Sequence, residues 1–228
     1  MRREESALEF LDRPVPTADL AASLDDIDRL NAWFGGYALT FGEIARVAAR
    51  VPPGRPLVVV DVGGGRGDLA VRVVRWARRA RRRVRVVVID RGGESLRLGS
   101  TGYSEIARVQ ADATALPIRE ASADVVTCAL MLHHLDPDAA AASLAEMAAA
   151  SRGALVVNDL LRSRWSWALV WLATRLFARH RFSRHDGPLS VRRAYAPAEL
   201  RALAEKAGLG NLRIARHRLR ARVLAVTP

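Results

Sequence analysis

The sequence predicts one α/β domain built on a doubly wound, mostly parallel sheet, and three observations carry that prediction. Apolar runs near Leu57–Val62, Val84–Ile89, Ala107–Gln110, Val125–Ala129 and Leu155–Asn158 alternate with stretches of helical spacing, the pattern of strands joined by crossover helices. The stretch Val58–Ala70, VVVDVGGGRGDLA, is an apolar strand that ends in Asp61 and the glycines Gly63, Gly65 and Gly67. Glycines there let the backbone turn tightly and approach a ligand without a Cβ in the way. Finally, 228 residues with 50% hydrophobic content suffice for one substantial core, whereas two full domains would be crowded.

Residues 1 to about 52 read as helical and are expected to form an N-terminal cap. Polar starts at Thr17 and Ser23 precede Leu20, Leu24, Ile27 and Leu30, spaced by three or four. The pair Gly35-Gly36 breaks that pattern, a second helix is expected from about Leu39 to Val51, and Pro52-Pro53-Gly54 closes the segment. After the fifth strand a long apolar and aromatic segment, Ser163 to Phe182, interrupts the alternation. A helix then opens at Pro197, with Glu199 in its first turn, and ends before Gly208. Two last strands are expected near Leu212–Ala215 and Leu219–Val226.

Composition narrows the function classes. Cys128 is the only cysteine, which excludes an internal disulfide and a cysteine-built zinc site, and no metal site is expected. The opening MRREESALEF holds no uninterrupted apolar stretch, so neither a signal peptide nor a membrane anchor is read there, and the cytoplasm is the expected compartment. A net charge of +12 suggests nucleic acid. The densest run, eight arginines between Arg72 and Arg85, falls where the helix after the glycine loop should end, and cations there complement the helix dipole. A solvated helix end is the expectation, with nucleic acid as the alternative partner.

The glycine spacing separates two ligand classes. A dinucleotide fingerprint G-x-G-x-x-G counted from Gly63 needs glycine at position 68, where Asp68 stands. The pattern present, D-x-G-x-G-x-G, resembles motif I of the class I S-adenosylmethionine (SAM) methyltransferases. That resemblance implies a Rossmann-like, seven-stranded sheet closed by a final antiparallel strand, SAM as cofactor, and residues 53–228 as the methyltransferase domain with a helical insertion at about 161–186. It assigns Asp61 to the loop and the methionine ammonium group. Asp90, 23 residues after Gly67 and followed by Arg91, is placed on the ribose, whose two hydroxyls a carboxylate can accept together. Asp112, in VQADATALP, is placed at the adenine amino group with the Ala113 amide beside it. Each aspartate also has a plainer reading as a helix cap or turn former.

The end of the fourth strand, ADVVTCALMLHHLDP, resembles the type 11 methyltransferases of ubiquinone and menaquinone biosynthesis. The backbone at Cys128, Ala129 and Leu130 is then expected to face the sulfonium. His133 and His134 are candidate general bases, because an imidazole titrates near pH ~6.5; the alternative is that one caps a helix or packs under the loop. The CALM string lacks the Asn/Asp-Pro-Pro-aromatic tetrapeptide of enzymes that methylate base amino groups. Methylation of RNA at carbon or ribose and a silent SAM-binding protein stay open beside the leading reading, O- or C-methylation of a small phenolic, quinone-like or polyketide-like acceptor.

Acceptor contacts are expected from Asp159, just past the fifth strand, from Trp165, from His185 in its polar cluster with Asp186, and, because the tail SVRRAYAPAELRALAEKAGL resembles the type 11 methyltransferases, from Arg193 and Tyr195. Tyr195 also reads as a core aromatic. The segment SRWSWALVWLATRLFARHRF is too short to span a bilayer. It reads as a buried helix, as a lid on an apolar pocket, or as an interfacial helix giving peripheral membrane contact. Asn31–Gly36, NAWFGG, is expected to cover the site from the other side.

Overall fold

A computed structural model describes residues 1–52 and 54–227; Pro53, within the expected Pro52-Pro53-Gly54 stop, lies outside them. Seven strands form one sheet: β1 (Leu57–Val62), β2 (Val84–Asp90), β3 (Ile106–Gln110), β4 (Ala123–Ala129), β5 (Ser151–Leu160), β6 (Arg213–His217) and β7 (Arg222–Val226). Their spatial order is β3-β2-β1-β4-β5-β7-β6. β1 to β5 pair in parallel, and β7 runs antiparallel between β5 and β6. The strand order reverses at β1 and β4, and in open α/β sheets a crevice opens at such a reversal beyond the strands' carboxyl ends. The glycine loop leaves β1 into that crevice.

Helices cover both faces. On one face α2 (Gly36–Ala48), α3 (Asp68–Arg79) and α4 (Gly93–Arg97) bury Ile44, Val47, Val73, Val74 and Leu96 against β1, β2 and β4. On the other, α5 (Pro137–Ala150) and α8 (Pro197–Lys206) bury Leu144, Met147, Leu200 and Leu203. Local chemistry sets the ends: Asp136 accepts from the Asp138 and Ala139 amides at 3.0 and 2.9 Å with Pro137 in the first turn of α5, a capped and preorganised start.

The remaining elements roof the crevice. They are α1 (Thr17–Trp33), α6 (Arg164–Phe177) and α7 (Arg181–Arg193), which brings the chain back over the β4 loop. Ser163 caps α6 through the Ser166 amide at 3.0 Å. The six-residue string Asn31–Gly36 turns α1 into α2: Gly35 has φ +72°, and a Cβ at Gly36 would collide with Asn31 Oδ1.

Three expectations are corrected. Residues 1–16 are not helical apart from a 3₁₀ turn at Phe10–Asp12, because long-range bonds hold them extended: Glu4 N–H donates to Arg192 O at 3.0 Å and Arg3 Nε to Arg193 O at 2.8 Å. α2 is a layer of the main sandwich, packed on β4 and β5, rather than part of a cap. The last strand begins at Arg222 instead of Leu219, which sits in a 3₁₀ turn and is 83% exposed. The arginine run is largely tied locally. Arg72 pairs with Asp28 at 2.9 Å, Arg78 with Glu105 at 2.7 Å, and Arg82 donates to Val51 O at 2.7 Å.

Candidate active site

A cavity of about 380 Å³ lies in the crevice, floored by the ends of β1, β2 and β4 and roofed by α1, α6 and α7. At one end the glycine loop lines it with Asp61, Gly63 and Gly65. Gly63 has φ +71°, and a Cβ there would collide with Met131 Cγ across the crevice. Gly67 caps α3 instead and does not line the cavity; its contact is Val88, 3.3 Å from where a Cβ would stand. Asp61 is buried and accepts from Thr127 Oγ1 at 2.8 Å. Burial, with Asp90 and Asp68 nearby, outweighs that hydrogen bond and pushes its carboxyl up to about 7.

Asp90 braces the loop, accepting the Gly65 amide on Oδ2 and the Gly92 amide on Oδ1, both at 2.8 Å. A carboxylate oxygen can accept twice, so each keeps a lone pair for a ligand. Asp112 accepts the Thr114 amide and hydroxyl on Oδ1 at 2.8 and 2.7 Å, the turn-forming arrangement. Its Oδ2 makes neither of these bonds, and Asp112, Ala113 and Arg91 all line the cavity. The β4 end contributes Ala129 and Leu130, the latter held at φ +54°, a conformation rare outside glycine that swings the chain across the cleft. Cys128 lies in the core beneath them, away from the cavity.

At the other end His133 and His134 line the wall beside Glu9 and Asp12. Asp159 sits under His133: its Oδ1 lies 2.7 Å from Nδ1, and its oxygens also accept the His133 and Leu160 amides at 3.1 and 2.7 Å. Burial would raise this carboxyl, but His133, the Leu160 amide and Arg222 hold it below the usual carboxylate range. His134 Nδ1 lies 2.7 Å from Asp12 Oδ1, and Arg193 binds Asp12 from behind. Burial opposes ionisation of Asp12 too, yet His134, Arg193 and the Glu9 amide bring it well below its ordinary value. Each imidazole thus sets Nδ1 against a carboxylate and turns Nε2 toward Glu9. Glu9 is 4% exposed, and burial pushes it up to about 7.

None of the five residues expected to meet an acceptor lines the cavity. Asp159 and Arg193 lie behind the histidines. Tyr195 is a core residue whose hydroxyl donates to Leu135 O at 2.8 Å. His185 is half exposed and holds Asp186 through Nδ1 at 2.8 Å. Trp165 is 59% exposed, because α6 turns Leu169, Val170, Ala173 and Thr174 inward and its tryptophans outward. The walls come instead from those four residues and from Leu20, Leu24, Ile27, Leu30 and Phe34 of the α1 region. Sequence reasoning missed Glu9 and Asp12, whose histidine partners lie more than 100 residues away.

Comparison with known proteins bears on the fold. Residues 59–153 match the family model described as a methyltransferase domain. No curated protein matches the chain in sequence. Among solved structures, the chain is similar to the CMeT domain of the citrinin polyketide synthase, with 13% identity and a TM-score of 0.58 over 79% of this chain and 50% of that one. It thus spans half the length of that relative. It is also similar to a SAM-dependent methyltransferase from Aquifex aeolicus (16% identity, TM-score 0.55, 80% and 87% covered). The magnesium protoporphyrin IX methyltransferase of Synechocystis PCC 6803, solved with bound SAM, gives 17% identity and a TM-score of 0.56 over 90% and 91%. At such identities the likeness is one of fold.

Proposed function

We propose that this chain, whose residues 59–153 match a methyltransferase domain and whose fold is that of SAM-dependent methyltransferases, is itself such an enzyme and methylates an oxygen or carbon of a small, largely apolar acceptor of phenolic, quinone-like or polyketide-like type. The observation that carries the reading is the single cavity that joins the glycine loop to the histidine pair between aliphatic walls.

The residues present fit the cofactor. A side chain at Gly63 would strike Met131, so the loop keeps its backbone open to the cleft. Asp61 is a buried carboxyl with no cationic partner among the groups that shift it, as an ammonium site requires. Asp90 and Asp112 each retain acceptor capacity beside the cavity. In this reading Asp61 holds the methionine ammonium, Asp90 the ribose, and Asp112 with Ala113 the adenine edge. Bound there, SAM supplies an electrophilic methyl group whose transfer to the acceptor leaves a neutral thioether.

The chain's own contribution is to hold the acceptor in line, keep water out and stabilise the acceptor as its anion. Leu24, Ile27, Phe34, Leu169, Val170 and Ala173 supply the dry wall, and close placement in a dry site is the main requirement of an in-line displacement. His133 and His134 form the polar corner at which the acceptor ionises, each ring locked by the carboxylate on Nδ1.

Calorimetry with SAM tests the cofactor half: binding by the wild type and its loss in Asp90→Ala are expected, and equal binding by both would end the assignment. A mass-spectrometric screen of phenols and polyketide-like enols tests the acceptor half. His133→Ala and His134→Ala are expected to lower turnover by ~10²-fold or more while leaving SAM affinity in place; unchanged turnover in both would remove the histidine corner from the chemistry.

A further inference from the structure

We propose that Glu9, His133 and His134 form a binding site for a divalent transition-metal cation of the zinc class, set in the wall of the acceptor cavity. Their ligand atoms lie within 4.8 Å of one another. His133 Nε2 is 3.7 Å from Glu9 Oε1, and His134 Nε2 is 3.9 Å from Glu9 Oε2. These separations are too long for hydrogen bonds, and Glu9 Oε1 has no hydrogen-bond partner although it is buried. In the neutral rings, with Nδ1–H given to the carboxylates, the two Nε2 atoms present lone pairs. Three ligand atoms thus face one another across a buried gap that no hydrogen bond among them closes, with Arg193 Nη1 3.9 Å from Glu9 Oε1. Zinc binds such atoms at ~2.0–2.2 Å, which puts neighbouring tetrahedral ligands about 3.4 Å apart, so atoms that lie within 4.8 Å of one another close on an ion with movements of about 0.7 Å or less each.

The surroundings are those of a metal site. Asp159 on His133 Nδ1 and Asp12 on His134 Nδ1 form two carboxylate–histidine pairs, the outer contacts that fix a ligating imidazole's tautomer and orientation. These carboxylates are themselves held, Asp159 by two backbone amides and Asp12 by Arg193. Two imidazoles and one carboxylate suit Zn²⁺, Co²⁺ or Ni²⁺ better than the oxygen-seeking Mg²⁺ or Ca²⁺. Three protein ligands leave a coordination position open, and since all three residues line the cavity, that position belongs to the acceptor. An acceptor hydroxyl bound there would ionise near neutral pH, as zinc-bound water does, its proton leaving to solvent. This chemical consequence rests on the methyltransferase reading; the binding of the cation does not.

The test uses metal-depleted full-length protein titrated with Co²⁺ and followed by its visible ligand-field spectrum. The expected result is saturation at one equivalent per chain with the absorption of a four- or five-coordinate ion, displaced by Zn²⁺. Glu9→Ala and His134→Ala should weaken binding at least ~10-fold and Asp12→Asn by ~10–100-fold, while SAM binding by calorimetry stays within a few-fold and reports an intact fold. If a variant loses both, X-ray absorption at the zinc edge of the wild type decides, with two imidazoles, a carboxylate and no sulfur expected. The proposal is overturned by no uptake in the wild type, or by uptake that survives both alanine substitutions and so belongs to His180, His185 or His217. Metal binding without SAM binding would keep this site and sink the methyltransferase reading. SAM binding without metal would do the reverse.

Discussion

At the scale of single residues, Asp61 turns burial into a pH dependence. Its carboxyl stands at about 7 in the folded chain against ~3.9 when exposed. Between those values the folded state holds a proton that the unfolded state has lost, so Asp61 makes the ligand-free protein less stable as pH rises from about 4 to about 7. A bound ammonium group reverses the preference, because it pairs only with the ionised form. SAM affinity should therefore rise as pH increases toward about 7 and then level off, with proton release on binding below that point. Calorimetry in buffers of different ionisation enthalpy measures both, and Asp61→Asn should flatten the profile. A flat profile in the wild type would take the ammonium away from Asp61. Gly63→Ala makes a sharper contrast with Gly42→Ala. The first forces a Cβ onto Met131 at φ +71° and should abolish SAM binding and cost ~1–3 kcal/mol. The second adds a methyl where nothing lies within 4 Å inside α2, and thermal unfolding should show a gain of ~0.5–1 kcal/mol.

Among the elements, β4 is anchored at the end remote from the cavity. Asp124 accepts from Arg55 at 2.7 and 3.0 Å, from Arg152 at 2.8 Å and from the Val58 amide at 2.9 Å, so it joins β1, β4 and β5. Burial would raise its carboxyl, but Arg152, Arg55 and the Val58 amide hold it down to about 2. A depressed acid stabilises above its unfolded value and loses that contribution as pH falls from about 4 to about 2, so Asp124→Asn should remove ~2 kcal/mol at neutral pH and shrink the acid-induced loss in that window. Denaturant melts at pH values on either side measure it. Strands β1 to β5 were legible in the sequence because their signals are local: β-branched runs, an acid at the strand end, a glycine turn. Asp61, Asp90 and Asp112, which line the cavity, could be singled out for the same reason. Leu219 misled because an apolar residue beside a strand resembles its first member until a 3₁₀ turn exposes it. Trp165 misled because α6 is apolar on both sides, and bulk does not say that its small residues face the cavity. Glu9 and Asp12 carried no local signal at all, since their partners stand more than 120 residues away.

For the whole molecule, the cavity has two walls of different origin, and this makes its two jobs separable. The cofactor side is built from the ends of β1, β2, β3 and β4, and the opposite side from α1, α6, α7 and the extended N-terminal segment. Asp186 of α7 fastens that segment. It accepts the Phe10 and Leu11 amides at 3.0 and 3.4 Å, while Phe10 stacks on Phe182 at 4.4 Å and thereby seats Glu9 and Asp12 against the histidines. None of these contacts reaches Asp61, Asp90 or Asp112. Asp186→Ala leaves the Phe10 N–H without its partner, a loss of ~1–3 kcal/mol, and frees Glu9 to move. Its expected phenotype is SAM affinity within a few-fold of the wild type, acceptor turnover lowered at least ~10-fold, and weaker Co²⁺ binding, read by calorimetry, product mass spectrometry and the ligand-field spectrum on one preparation. Parallel loss of SAM affinity and turnover would mean that the N-terminal segment supports the glycine loop as well, and the two walls would then have to be treated as one cooperative unit.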